Sequence, residues 1–251
     1  MRDRAPPQGA QAALRAIRLL KLFTSETPEL RLADVCELSG LNKTTTHRLL
    51  QALYSEELLD RNPGTGTYRL GPGLMALGVQ ALSSNDLRLR ARPILRRLAD
   101  ETGETATLEI PIDDTMLILD EVTSKHFVGA VGNVGTRWPI HATSTGKALI
   151  AFEEHGPDRL GEHLSSLTSR TITRHEALLQ QLGEIRRRGF AETVDELEDG
   201  FSGVGAVVRG RMGEVLGAIS ICGPTHRMSD SRRARLGATL CAVAAHLQPQ
   251  Y

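Results

Sequence analysis

SGLNKTTTHRLLQAL, residues 39–53, sets three consecutive threonines, a histidine and an arginine at the start of a leucine-rich stretch. A β-branched run loses χ1 freedom against the preceding turn, so it is a poor way to open a helix. The spacing is nonetheless helical. At about 100° per residue, Thr46, Leu49, Leu50 and Leu53 fall in one stripe that faces a core. The opposite face holds Thr44, His47, Arg48 and Gln51, with Lys43 at the helix start and Thr45 on the flank; no carboxylate appears before Glu56. That surface suits a DNA duplex. Arginine pairs bidentately with guanine, glutamine with adenine, and threonine bonds phosphate or touches the thymine methyl. The helix N-terminus adds its own attraction for phosphate. A merely solvated face is the commoner explanation for a lone polar helix surface, so the neighbours decide.

Upstream, QAALRAIRLLKLF (residues 11–23) predicts a helix with Leu14, Ile17, Leu20 and Phe23 on one face. RLADVCELSG predicts a second, with Leu32, Val35 and Leu38 inward and Gly40 in the C′ position. Arg31 is a poor N-cap there, while Asp34 in the first turn favours the helix dipole. Asn42 caps the third helix, expected to run from Lys43 to about Glu57. Downstream, two extended runs at 58–61 and 67–70 flank Asn62-Pro63-Gly64-Thr65-Gly66, strong hairpin punctuation. Helix, helix-turn-helix and hairpin in this order make a winged helix-turn-helix, with Arg61, Tyr68 and Arg69 on a wing that grips flanking phosphates.

Residues 74–102 read as helical, broken at SSND where Ser84 or Asn85 can cap a new helix, and connect two domains. Beyond Gly103 the period changes to strands: ETATLEIPI, TMLILDEV and HFVGAV, then GFAETV, GVGAVVRG and EVLGAISICG. Helices are expected at 146–154 and 175–188, a hairpin turn at Arg211-Met212-Gly213, and a closing helix at 230–246. The fold class is α+β: a disordered arm (1–10), a winged helix-turn-helix (11–73), linker helices (74–102) and a sensor-like α/β domain (103–251).

The bulk numbers permit this reading without demanding it. Across 251 residues the formal charge is zero, so no global field points to nucleic acid. The first hundred residues carry an excess of roughly five positive charges, balanced by the remainder. The three cysteines, Cys36, Cys222 and Cys241, lie far apart and suggest neither disulfides nor a metal site. No apolar run is long enough to span a bilayer, and MRDRAPPQGA lacks a signal-peptide core. A cytoplasmic protein without cofactor is the expectation.

Enzyme chemistry has weak support. Cys222 and His226 are near in sequence, as a thiol and its base would be, and His141, Asp120, Glu121 and Asp195 are acid–base candidates. Yet HExxH, GxSxG and the P-loop are missing, and scattered histidines are usually structural.

LADVCELSGLNKTTTHRLLQAL and YRLGPGLMALG resemble the DNA-binding domain of the IclR (isocitrate lyase regulator) family of bacterial transcription factors. RARPILRRLADETGETATL, GTRWPIHATSTGKALIAF, RRRGFA, DELEDGF and GAISICGP continue the resemblance in the family's order, from about Leu14 to His246. The resemblance implies a GAF-like effector domain, dimers that pair into tetramers, and operator DNA, a small organic acid and a second copy of the chain as partners. It implies a pocket edged by Ser144, Thr145, Asp195, Gly200, Phe201, Ser220 and Cys222. TSTGK starts a helix whose free N–H groups suit a carboxylate, and Ser220 and Cys222 share one side of a strand. Two departures, a shorter loop after Asp195 with Gly203 at the family's later cysteine position and Cys222 in place of a serine, make the pocket less polar. An aromatic or larger apolar acid is expected rather than glyoxylate. The ELEDG variant looks closest to members controlling aromatic-acid catabolism.

Overall fold

The computed structural model describes residues 9–24, 26–123 and 133–247. The chain separates into two compact units at Ser84/Asn85. The first contains α1 (Gln11–Leu20), β1 (Glu29–Leu30), α2 (Leu32–Ser39), α3 (Lys43–Ser55), β2 (Leu59–Arg61), β3 (Tyr68–Leu70) and α4 (Pro72–Ser83).

At the head of α3, Asn42 Oδ1 accepts the Thr45 N–H at 2.9 Å, and Thr46 Oγ1 donates to the Asn42 carbonyl at 3.0 Å. Thr46 is buried with Leu50 and Leu53, as the stripe predicts. The threonine run thus does two jobs: one hydroxyl is turned inward onto the backbone while Thr44 stays outside. α2 ends at Gly40, whose φ of 66° is the left-handed conformation that favours glycine. Its start is held by Asp34, whose carboxylate accepts the Arg31 N–H at 2.8 Å; the Arg31 side chain caps nothing.

Four expectations are corrected. α1 stops at Leu20 rather than Phe23; the Leu22 and Phe23 N–H groups turn back to the Leu19 and Leu20 carbonyls in a tighter turn that still buries Phe23. Leu19 is the helix's buried residue, and Ile17 is exposed. Leu38 is exposed too. Repeated i, i+3 spacing drifts by about 60° per step, so in a short helix centred on Val35 the outermost leucine leaves the core. β1 falls where the sequence suggests only a break; its Glu29 and Leu30 pair with Arg69 and Tyr68, giving an antiparallel sheet of order β1-β3-β2.

The second unit contains α5 (Asp86–Thr102), β4 (Thr105–Ile112), β5 (Thr115–Val122), β6 (Arg137–Pro139), α6 (Ser144–Phe152), α7 (His175–Arg188), β7 (Ala191–Val194), β8 (Phe201–Arg209), β9 (Val215–Pro224) and α8 (Asp230–His246). Its antiparallel sheet has the order β6-β5-β4-β9-β8-β7. β6 is not expected from the sequence, and the proposed strand HFVGAV lies outside the described residues. The mixture of helices with antiparallel strands is the α+β class read from the sequence. The helical stretch 74–102 is divided between the units. Asn85 caps α5 through the Arg88 N–H, and α5 buries Ala91, Leu95, Leu98 and Ala99 within the second unit. α4 buries no residue.

α6 is buried from Ser144 to Ala151, packed between the sheet and α7. Thr143 caps it, accepting the Gly146 N–H at 3.0 Å. Its close approach to the sheet requires Gly205, where a Cβ would stand 2.7 Å from the Thr145 nitrogen. Ala206, the next residue, faces the opposite way, toward Cys241 and Ala244 of α8.

Candidate functional site

Two surfaces carry chemistry, one in each unit. On α3, Lys43, Thr44, His47 and Arg48 are exposed. Among the described residues their side chains make no hydrogen bond or ion pair with the protein. Thr45 is half-buried on the flank. Gln51 is also half-buried and donates its amide to the Tyr68 hydroxyl at 3.2 Å. On the wing, the Arg61 guanidinium lies over the Tyr68 ring, 5.7 Å from its centroid. Arg69 grips Asp60 across the hairpin through Nε at 3.0 Å and Nη2 at 2.6 Å. That contact holds the Asp60 carboxyl below its usual range. The structure therefore gathers Lys43, Thr44, His47 and Arg48 on one open face, ties Gln51 to the wing, and sets a carboxylate on Arg69.

In the second unit a cavity of about 540 Å³, its open mouth included, lies between α6 and the sheet. Ser144, Thr145, Phe201, Ser220 and Cys222 line it, as do Thr107, Glu109, Ile118, Trp138, Thr193, Leu197 and Glu198. Its apolar body is Ile118, Trp138, Leu197 and Phe201. Its polar wall is a ladder on adjacent strands: Thr107 on β4 faces Ser220 on β9, with their hydroxyls 2.7 Å apart. Thr107 Oγ1 also donates to Glu109 Oε1 at 2.7 Å, and Thr145 Oγ1 donates to Glu109 Oε2 at 2.6 Å. Burial pushes the Glu109 carboxyl above the usual carboxylate range, despite those two hydrogen bonds.

Asp195 and Gly200 sit outside the lining. Asp195 has a left-handed φ of 57°, and its Oδ1 accepts from the Gly200 N–H at 3.0 Å and from Thr225 Oγ1 at 2.6 Å. It pins the turn that delivers Phe201 to the cavity, and Gly200 supplies the positive φ of 80° at the end of that turn. Sequence reasoning missed Thr107, Glu109, Trp138 and Thr193. The signal for two of these was the alternation Thr105, Thr107, Glu109 against Ala106 and Leu108, polar on one face of a strand that is otherwise apolar.

Of the acid–base candidates, Asp120, His141 and Asp195 are engaged in the scaffold. Asp120 is buried against Arg92 and Arg88, and His141 Nε2 bonds the Ser165 carbonyl at 2.9 Å. The Cys222 thiol leans toward the Thr105 carbonyl at 3.7 Å, and burial raises its pKa far above the thiolate range. Near the cavity, Lys147 of α6 is fully buried and ion-paired with Glu196; burial draws the lysine below its usual range. No group of three or more His, Cys, Asp or Glu among the described residues is arranged to hold a metal.

A DNA-reading unit followed by a sensing unit defines a one-chain regulator, and comparison with known proteins agrees. Residues 12–63 match the IclR helix-turn-helix domain, and residues 79–248 match the bacterial transcriptional regulator IclR C-terminal domain. The transcriptional regulator XynR of Escherichia coli is 33% identical over 89% of this chain and 90% of its own length. TtgV of Pseudomonas putida is 36% identical over 76% of this chain and 74% of its own. The crystal structure of an IclR regulator from a Silicibacter species superposes with a TM-score of 0.83 at 28% identity, covering 94% of each chain. The chain belongs to the IclR family of bacterial transcriptional regulators. It is a DNA-binding regulator with an effector domain and not an enzyme, and no helix among the described residues is long and apolar enough to cross a membrane.

Proposed function

We propose that the protein is a repressor, acting in the bacterial cytoplasm, whose grip on its operator is released by a small organic acid with an aromatic or otherwise apolar body. α3 enters the major groove, with Lys43, Thr44, Thr45, His47 and Arg48 toward the DNA and Arg61 reaching the flanking backbone. Gln51 contributes by fixing the wing. The observation that carries the regulatory reading is the cavity. Trp138, Phe201, Ile118 and Leu197 surround a few convergent polar groups under a helix N-terminus, which is how small-ligand sites are built.

Near-palindromic operators require two recognition helices, hence a dimer. α4 supports this: Met75, Leu77 and Val79 are 57–67% exposed on a helix that buries nothing, and a second copy of the chain would cover them. Effector binding must favour one spacing of the paired recognition helices over another by its differential affinity.

The test is fluorescence anisotropy on DNA from upstream of the protein's own gene, at two salt concentrations, with a panel of aromatic and short acids. Salt-steep, sequence-specific binding weakened by an aromatic acid is the expected result. Release by glyoxylate or pyruvate alone would overturn the effector assignment, and DNA binding without sequence preference would overturn the operator assignment.

A further inference from the structure

The polar wall of the cavity has a direction. A hydroxyl carries one proton. Thr145 spends its proton on Glu109 Oε2, and Thr107 spends its proton on Glu109 Oε1. At the 2.7 Å contact between Thr107 and Ser220, the donor must then be Ser220. All three hydroxyl protons point toward the Glu109 carboxylate, and Ser220 turns lone pairs to the cavity. With Glu109 ionised, this wall accepts hydrogen bonds and donates none.

Such a wall is hostile to a carboxylate. Among the described residues no lysine or arginine lines the cavity, so an anionic head set against this wall would meet Glu109 and the Ser220 lone pairs without a countercharge. A single proton on Glu109 inverts the relay. Glu109 Oε1 then donates to Thr107, Thr107 donates to Ser220, and Ser220 donates into the cavity, while Oε2 still accepts from Thr145.

We infer that Glu109, Thr107 and Ser220 form a proton-set polarity switch in the effector cavity: a neutral hydrogen-bond donor binds with Glu109 ionised, and an organic acid binds only with uptake of one proton from solvent at Glu109. This rests on the effector reading of the cavity and adds the condition on which an acid enters it. The surroundings favour protonation. From β5, Glu121 adds negative charge, as Glu109 in turn does to Cys222 on β9. Glu198 on the loop after β7 lines the same cavity. The nearby cations are committed: Lys147 of α6 to Glu196, and Arg227 and Arg232 to Glu104 at the start of β4.

Trp138, the single tryptophan of the chain, lines the cavity, so its fluorescence reports occupancy in the full-length protein. Benzoate and benzyl alcohol are matched probes, one anionic and one neutral. Above the pH at which Glu109 ionises in the free protein, benzoate binding should weaken about tenfold per pH unit, as uptake of one proton requires, while benzyl alcohol binding stays flat. Glu109→Gln, which fixes a donor at this position, should make the benzoate affinity independent of pH. Adding benzoate to the wild type should also produce the carbonyl stretch of a protonated carboxylic acid in the infrared spectrum, and this band should be missing in E109Q. Benzoate binding that is flat with pH in the wild type, or a slope retained in E109Q, overturns the switch while leaving the effector reading intact. No response of Trp138 to either probe, in either protein, overturns the effector reading and the switch with it.

Discussion

The side-chain amide of Gln51, midway along α3, donates to the phenol oxygen of Tyr68 on β3, 3.2 Å away. Tyr68 is buried against the helical core and carries Arg61 over its ring, so one tyrosine joins the recognition helix to the wing. Tyr68→Phe should remove about 0.5–1.5 kcal/mol of stability, the net value of one hydrogen bond. Urea unfolding reads that loss, and no change in the midpoint would show the contact to be idle.

Arg48 is the exposed arginine of α3, and the proposed function sets it against a base. Arg48→Ala should weaken operator binding by about 1–3 kcal/mol, roughly fivefold to 150-fold, with an unchanged melting temperature. A gel-shift titration that matches the wild type would remove Arg48 from the interface.

Asp60 holds Arg69, and under the proposed function it competes with phosphate for that guanidinium. Asp60→Ala should therefore tighten non-specific DNA binding and steepen the plot of log K against log salt by about 0.9, one further phosphate contact. A slope equal to that of the wild type would place Arg69 away from the backbone. The pair itself is solvent-exposed, so little stability should be lost.

Glu109 should make stability depend on pH with the sign opposite to that of an ordinary paired carboxylate. Its folded pKa is raised, chiefly by burial, so the folded state prefers the protonated form. The contribution is fully present below the unfolded pKa, near the usual 4.5, and is lost as pH rises through the folded value. Glu109→Gln should therefore melt higher than the wild type at neutral pH and converge with it near pH 4. Parallel melting curves at both pH values would contradict this.

Lys147 and Glu196 form a buried pair near the cavity. Lys147→Met alone leaves an uncompensated carboxylate and should cost about 3–5 kcal/mol. Adding Glu196→Leu should recover much of that loss, because replacing a whole buried pair with apolar residues is often nearly neutral. Denaturant unfolding of the single and double variants checks both statements.

Much of this is legible along the chain. The stripe Thr46, Leu50, Leu53 and the caps Asn42, Gly40 and Asn85 are local, so periodicity and capping chemistry place them without a structure. Ile17 and Leu38 escape such reasoning because period defines a face but not how far a core extends along a short helix. β1 has two residues, too few for any alternation, and exists because Tyr68 and Arg69 lie beside it. In the cavity, Ser220 and Thr145 can be found one at a time. The alternation along β4 marks Glu109 as polar on one face, but its role depends on β4, β9 and α6 converging from positions 107–109, 145 and 220. Asp195 belongs to the pocket only by resemblance, and the hydrogen bonds it makes with Gly200 and Thr225 come from strands and turns that no spacing rule connects.

Cys222 contributes the one sulfur among the described residues that line the cavity. Burial keeps it as a thiol, and a thiol that does not ionise reacts slowly with peroxides and alkylating agents. An oxidative burst that silences thiolate-based sensors would leave this cavity's shape and chemistry unaltered. Under the proposed function, the response of this cavity follows its effector and is insulated from thiol oxidation.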